Sequence, residues 1–254
     1  MTVTLESRAP SWRGDGMSAM EAVAWLGGER PSQAPRCASP MLAGFVESCN
    51  DRWPDAERQL LKPYVALIVG TRSGPADERS RAYLLTDRAI RVWALAAARN
   101  AGRLARQWGD RIRVEAERLG AVEPVSGRSS ALQAAAILEL TAQEVERVAD
   151  LVDFCAGDGE HVVADAHAGA LALAAEAIRS AAYAATALAA GATDTAAGAA
   201  IAAVEASEAS ALGAADARGN PARFNRQATV TQSLAALEAL LSPSGGRRLW
   251  ARVL

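Results

Sequence analysis

The stretch ADAHAGALALAAEAIRSAAYAATALAAGATDTAAGAAIAAVEASEASALGAADA, residues 164–217, decides the fold. Of its 54 residues 28 are alanine, and it holds no run of β-branched residues. Alanine has the highest helix propensity, so the segment reads as helix. The interruption near Gly191 and Thr193 divides it into two helices, arranged as a hairpin. Alanine buries little area, and its use is close approach of helix backbones that gain contact by dispersion. The stretch is thus expected to be a packing surface, within the chain or between chains. A membrane span over 180–203 is disfavoured, although Asp194 is its only charge: alanine drives insertion weakly and no aromatic belt flanks it.

The rest of the chain agrees. Across 254 residues there are 61 alanines and 12 aromatics, a balance that argues against sandwiches and barrels. The fold class expected is all-α, a helical bundle or solenoid with alanine-rich helices. Residues 1–16 read as a loose leader, 17–120 as an aromatic-rich helical module, 121–241 as the alanine-rich region and 242–254 as a tail. Eight of the aromatics, including five of six tryptophans, precede residue 110.

Local signals place the elements. A helix over 17–26 stops at Gly27 and Gly28. Ser39 with Pro40 opens a second, in which Met41, Leu42, Phe45, Val46 and Cys49 share a face. Pro54 opens a third, which Pro63 should kink. Pro75 starts a long helix ending near Ala101, before Gly102, and a further helix carries Trp108, Ile112 and Leu119. Helices fill 131–155, with Thr141 and Glu144 as a capping box. A last helix occupies 222–241.

The motifs MEAVAWLGGE (20–29), PRCASP (35–40), ND (50–51), VGTR (69–72) and ERSRAYLLTD (78–87), with a DxxRxxLKPY pattern at 55–64, form a module. It resembles a family of uncharacterised actinobacterial proteins in which such a module precedes an alanine-rich helical tail. The resemblance covers about a third of the chain and implies a grouping without catalytic residues. In many relatives a cysteine holds the place of Ser18, so the resemblance implies no paired thiol with Cys37 here.

Charge is segmented. Residues 1–120 carry 18 basic against 14 acidic side chains, residues 121–216 carry 3 against 14, and residues 217–254 carry 6 against 1. A basic–acidic–basic layout suits pairing within or between chains. Lys62 is the sole lysine, which reflects genome composition rather than an arginine code. Three widely spaced cysteines, Cys37, Cys49 and Cys155, form no metal motif and fit a reducing cytoplasm.

Four residues are candidates for catalysis. Asp87 lies between apolar pairs on a helix; its default role is an ion pair with Arg58 or Arg72, and its sharper one a carboxylate of raised pKa. Glu21 is a second carboxylate of this type. His161 and Asp165, at i and i+4, share a helix face and would bind a metal or orient a base with Asp150 or Asp153. His167, six residues from His161, falls on another side. Glu29 and Asp51 are further acids beside apolar stretches. Cys37 precedes a helix whose dipole would favour a thiolate, against a default of simple packing. Arginines 88, 91, 99, 103, 106, 111 and 113 form a stripe able to meet phosphates.

No phosphate loop, nucleophile elbow, HExxH or dinucleotide fingerprint is present. The reading is therefore a non-catalytic cytoplasmic protein that self-associates or scaffolds through its alanine-rich helices, without cofactors and without a membrane. The alternatives are a small-molecule enzyme with a carboxylate or histidine site, and, less favoured, nucleic-acid binding through the arginines.

Overall fold

The computed structural model of the chain describes residues 4–7, 16–105, 108–155, 161–216 and 226–242. It is an all-α bundle, as the alanine content predicts. The only strand pairing among the described residues is a two-residue parallel pair, β1 (Thr4–Leu5) with β2 (Gly16–Met17). The chain forms two compact units, residues 1–84 with 230–254, and residues 85–229. This division differs from the expected boundary near residue 120. The segment after residue 84 joins the alanine-rich helices, and the end of the last helix joins the N-terminal unit.

The first unit holds α1 (Ala19–Leu26), α2 (Pro40–Arg52), α3 (Asp55–Arg58), α4 (Lys62–Ile68), the start of α5 (Pro75–Arg88) and most of the last helix (Arg226–Leu241). Each start has a local cause. Ser18 caps α1 in a capping box with Glu21, and Ser39 caps α2 with Pro40 in its first turn. Pro63 has no N–H for a bond four residues back, and the chain answers with a 3₁₀ turn at Gln59–Leu61 before α4. Gly28 and Gly70 take the left-handed φ values 71° and 79° where the chain leaves α1 and α4. Met20, Val23, Leu42, Phe45, Trp53, Leu61 and Ile68 are buried together with Leu5. The expectation of a loose leader is thus corrected at residues 4–7. Leu5 is 2% exposed, and Gln59 holds its N–H at 3.0 Å and its carbonyl at 2.9 Å.

The second unit begins with the end of α5, whose helix widens into a π turn at Ala89–Ala94 and continues as α6 (Leu95–Leu104). Gly102 therefore lies inside a helix rather than beyond its end. Next come α7 (Gly109–Gly120), α8 (Arg128–Phe154), α9 (His161–Ala189) and α10 (Thr193–Asp216). α8 is one helix. Thr141 sits in its interior, with its hydroxyl donating to the Ile137 carbonyl at 2.9 Å, so the expected capping box is absent.

The alanine hairpin forms as expected, with Gly191 at φ 83° between its arms. α9 packs against α8, α10, α6 and the π turn. Ala174, Ala177, Ala181, Ala184 and Ala185 are all fully buried beside Leu171 and Ile178. This is the close backbone approach that alanine permits, directed inward. The expected breaks at 157–159 and 219–221 and the tail lie outside the described residues. No helix among the described residues is long and apolar enough to cross a membrane.

Candidate functional site

The module motifs resolve into a network of polar braces. Asn50 accepts from the Ala19 N–H at 3.1 Å and donates to the Glu6 and Ser7 carbonyls at 2.9 and 3.3 Å. Buried Arg58 donates to the Asn50 and Trp53 carbonyls at 2.7 and 2.6 Å and to Asp55 at 2.6 Å. Arg81, 3% exposed, donates to Glu78 at 2.7 Å, to Ser73 at 3.2 Å and to the Leu240 carbonyl at 3.1 Å. Glu78 in turn accepts from Ser39 Oγ at 2.7 Å. A buried guanidinium is tolerated only when its donors are met, and these arginines meet backbone carbonyls that loops would leave open.

Glu21 belongs to this network. Its carboxylate accepts from the Ser18 N–H at 3.0 Å, and Ser18 Oγ accepts from the Glu21 N–H at 3.2 Å. That is a helix cap, and both groups are occupied by it. Asp51 accepts from its neighbour Asn50 at 3.3 Å.

Glu29 and Cys37 stand side by side in the first unit. The Glu29 carboxylate accepts from the N–H groups of Arg36 and Cys37 at 2.7 and 2.6 Å. The Arg36 bond in particular holds its pKa below the usual value. The Cys37 thiol lies 3.9 Å from the Val23 carbonyl. Burial, then the Glu29 carboxylate, push its pKa up. The thiolate-favouring reading is therefore overturned: desolvation and an adjacent anion outweigh the start of α2. Cys37 is a packed thiol.

The arginine beside Asp87 is Arg91, where Arg58 or Arg72 was expected. Asp87 Oδ1 accepts from the Val125 N–H at 3.0 Å, and its Oδ2 lies 3.4 Å from Arg91 Nε. It fastens the α7–α8 connection to α5, which is the structural default with a different arginine. The side chains of His161 and Asp165 lie outside the described residues. His167 is buried. Among the described residues no three His, Cys, Asp or Glu side chains are grouped to hold a metal.

Part of the arginine stripe is paired with acids. Arg91 lies 3.4 Å from Asp87, Arg113 pairs with Asp110, and Arg111 lies 3.9 Å from Glu144 and 6.0 Å from the Trp108 ring. Arg106 lies outside the described residues. Arg99, Arg103 and Arg113 instead line a cleft of about 550 Å³ with Gly102, Gly109, Asp110, Ala116 and Glu117. Gly109 makes it: a Cβ there would overlap the Gly102 carbonyl oxygen, whereas one on Gly102 would make only ordinary contact, so α6 and α7 cross backbone to backbone at Gly109. The sequence shows these arginines as a line of charge; only the crossing turns them into the wall of a cleft. The signal available was Gly102 and Gly109 flanking one inter-helix turn.

Compared with known proteins, the chain matches no protein-family model, no curated protein and no solved structure.

Proposed function

We propose that this chain is a non-catalytic helical protein that works in the cytoplasm by self-association, and that copies meet through the turn end of the α9–α10 hairpin. The observation that carries this reading is Gly198. It lies inside α10, where glycine destabilises a helix by about 0.5–1 kcal/mol relative to alanine. Beyond its chain neighbours and its own helix backbone, no atom of the described residues stands within 4 Å of where its Cβ would be, so packing against other elements gives no reason for glycine there. A second copy approaching that backbone gives one.

The surroundings suit such a surface. Tyr183 is 58% exposed, and Thr186, Ala190 and Thr195 are exposed and uncharged. From Ser180 to Ala203 the one charge is Asp194. Interface centres are depleted of charge and enriched in tyrosine. The acidic middle and basic ends of the chain add attraction between copies. Cys37, Cys49 and Cys155 form no disulfide among the described residues, which suits a reducing compartment.

Two alanines of α9 near that turn offer no surface to a second copy. Ala185 is fully buried and Ala189 is 8% exposed, both inside the hairpin. The test is the mass of the full chain in solution, with Tyr183→Glu and Gly198→Arg as variants. An oligomer that both variants dissociate is expected. A chain that is monomeric at every concentration would overturn the reading.

A further inference from the structure

We infer that the cleft between α6 and α7 binds a small multivalent anion, a molecule bearing two or more phosphate or carboxylate groups. Its volume of about 550 Å³ falls in the range of small-ligand sites. Arg99 and Arg103 project from α6 and Arg113 from α7. Guanidinium groups bind such acids through paired, charge-assisted hydrogen bonds.

The charges in the cleft are not balanced by the chain itself. Arg113 is neutralised by Asp110. Arg103 donates to the neutral Asn100 side chain at 3.2 Å. Arg99 has no hydrogen-bond or ion-pair partner among the described residues. Glu117 is the one other acid of the lining. Arg99 and Arg103 stand at i and i+4, a like-charge spacing that destabilises a helix. A bound dianion bridging them converts that repulsion into attraction. The floor is backbone, because Gly102 and Gly109 carry no side chain to fill it.

The test is calorimetric titration of the full chain at low ionic strength with inorganic pyrophosphate, with citrate, and with sodium chloride at matched ionic strength. Saturable one-to-one binding of pyrophosphate or citrate is expected, and which one binds more tightly tells phosphate from carboxylate. Arg99→Gln combined with Arg103→Gln should weaken it by at least about tenfold. Glu117→Gln should strengthen it, a gain that a damaged fold does not produce. Binding that is absent, that sodium chloride reproduces, or that ignores all three substitutions overturns the inference. So does a short DNA duplex binding through these arginines where neither small anion saturates, since the ligand would then be a nucleic acid.

Discussion

The hydroxyl of Ser207 on α10 donates to the backbone carbonyl of Trp93 at 3.0 Å. The bond joins the alanine hairpin to the π turn, where the widened backbone opens carbonyls to side donors. A second serine, Ser210, repeats the device one turn later by donating to the Ala170 carbonyl at 2.8 Å. In a unit whose helices bury mainly methyl groups, these bonds fix the position of α10 against its neighbours. Replacing Ser207 by alanine leaves the Trp93 carbonyl without that donor and should lower unfolding free energy by about 1–3 kcal/mol. Urea denaturation of Ser207→Ala beside Ser207→Thr checks this, because threonine keeps the hydroxyl. Equal stability of the alanine variant and the parent would refute it.

The interior of α9 has no room to spare. Ala185→Leu adds three carbons at a fully buried position and should destabilise the chain by about 1–3 kcal/mol, or more. Its effect should appear as a lower melting temperature without selective loss of assembly. Dissociation of an otherwise stable chain would place this alanine on the outside, contrary to the structure.

Tyr64 supplies a pH-dependent prediction. Its hydroxyl donates to Glu238 at 2.8 Å, and burial together with that carboxylate pushes its pKa up to about 12. A raised folded-state pKa stabilises the fold while tyrosine is protonated in the unfolded chain, below about 10. That stability is lost as pH rises from there toward 12. Tyrosinate absorbance should therefore show one of the three tyrosines titrating late, and Tyr64→Phe should remove that step. A late step that survives the substitution would contradict the assignment.

Cys37 gives a chemical test of the Glu29 brace. With the thiol held protonated by burial and the adjacent carboxylate, Cys37 should alkylate more slowly than exposed Cys155 near neutral pH. Glu29→Gln removes the anion and should speed the reaction at Cys37 alone. Mass-resolved labelling distinguishes the two sites, and an unchanged Cys37 rate would show that the carboxylate has no hold on it.

What was legible in the sequence was local. Alanine content gave the helical class, Ser39–Pro40 a helix start, and Gly191 the hairpin turn. What was not legible depended on partners far along the chain. Nothing near Arg81 announces that its guanidinium meets the Leu240 carbonyl, 159 positions away, or that Tyr64 meets Glu238, 174 away. Glu21 and Asp87 looked like candidate acids because a carboxylate beside apolar residues has the same local pattern whether it caps, braces or catalyses. The π turn at Ala89–Ala94 has no composition of its own; it forms where Ile90, Trp93 and Ala94 are buried. Alanine content marks a packing surface, and which way that surface faces depends on the helices that stand beside it.

The most direct test of the account is sedimentation velocity of the full chain over a concentration series, repeated for Tyr183→Glu and Gly198→Arg. The account predicts a defined oligomer in the parent and a smaller species in both variants, with melting temperatures close to that of the parent. A parent that sediments as a monomer throughout, or an oligomer untouched by either substitution, would contradict it.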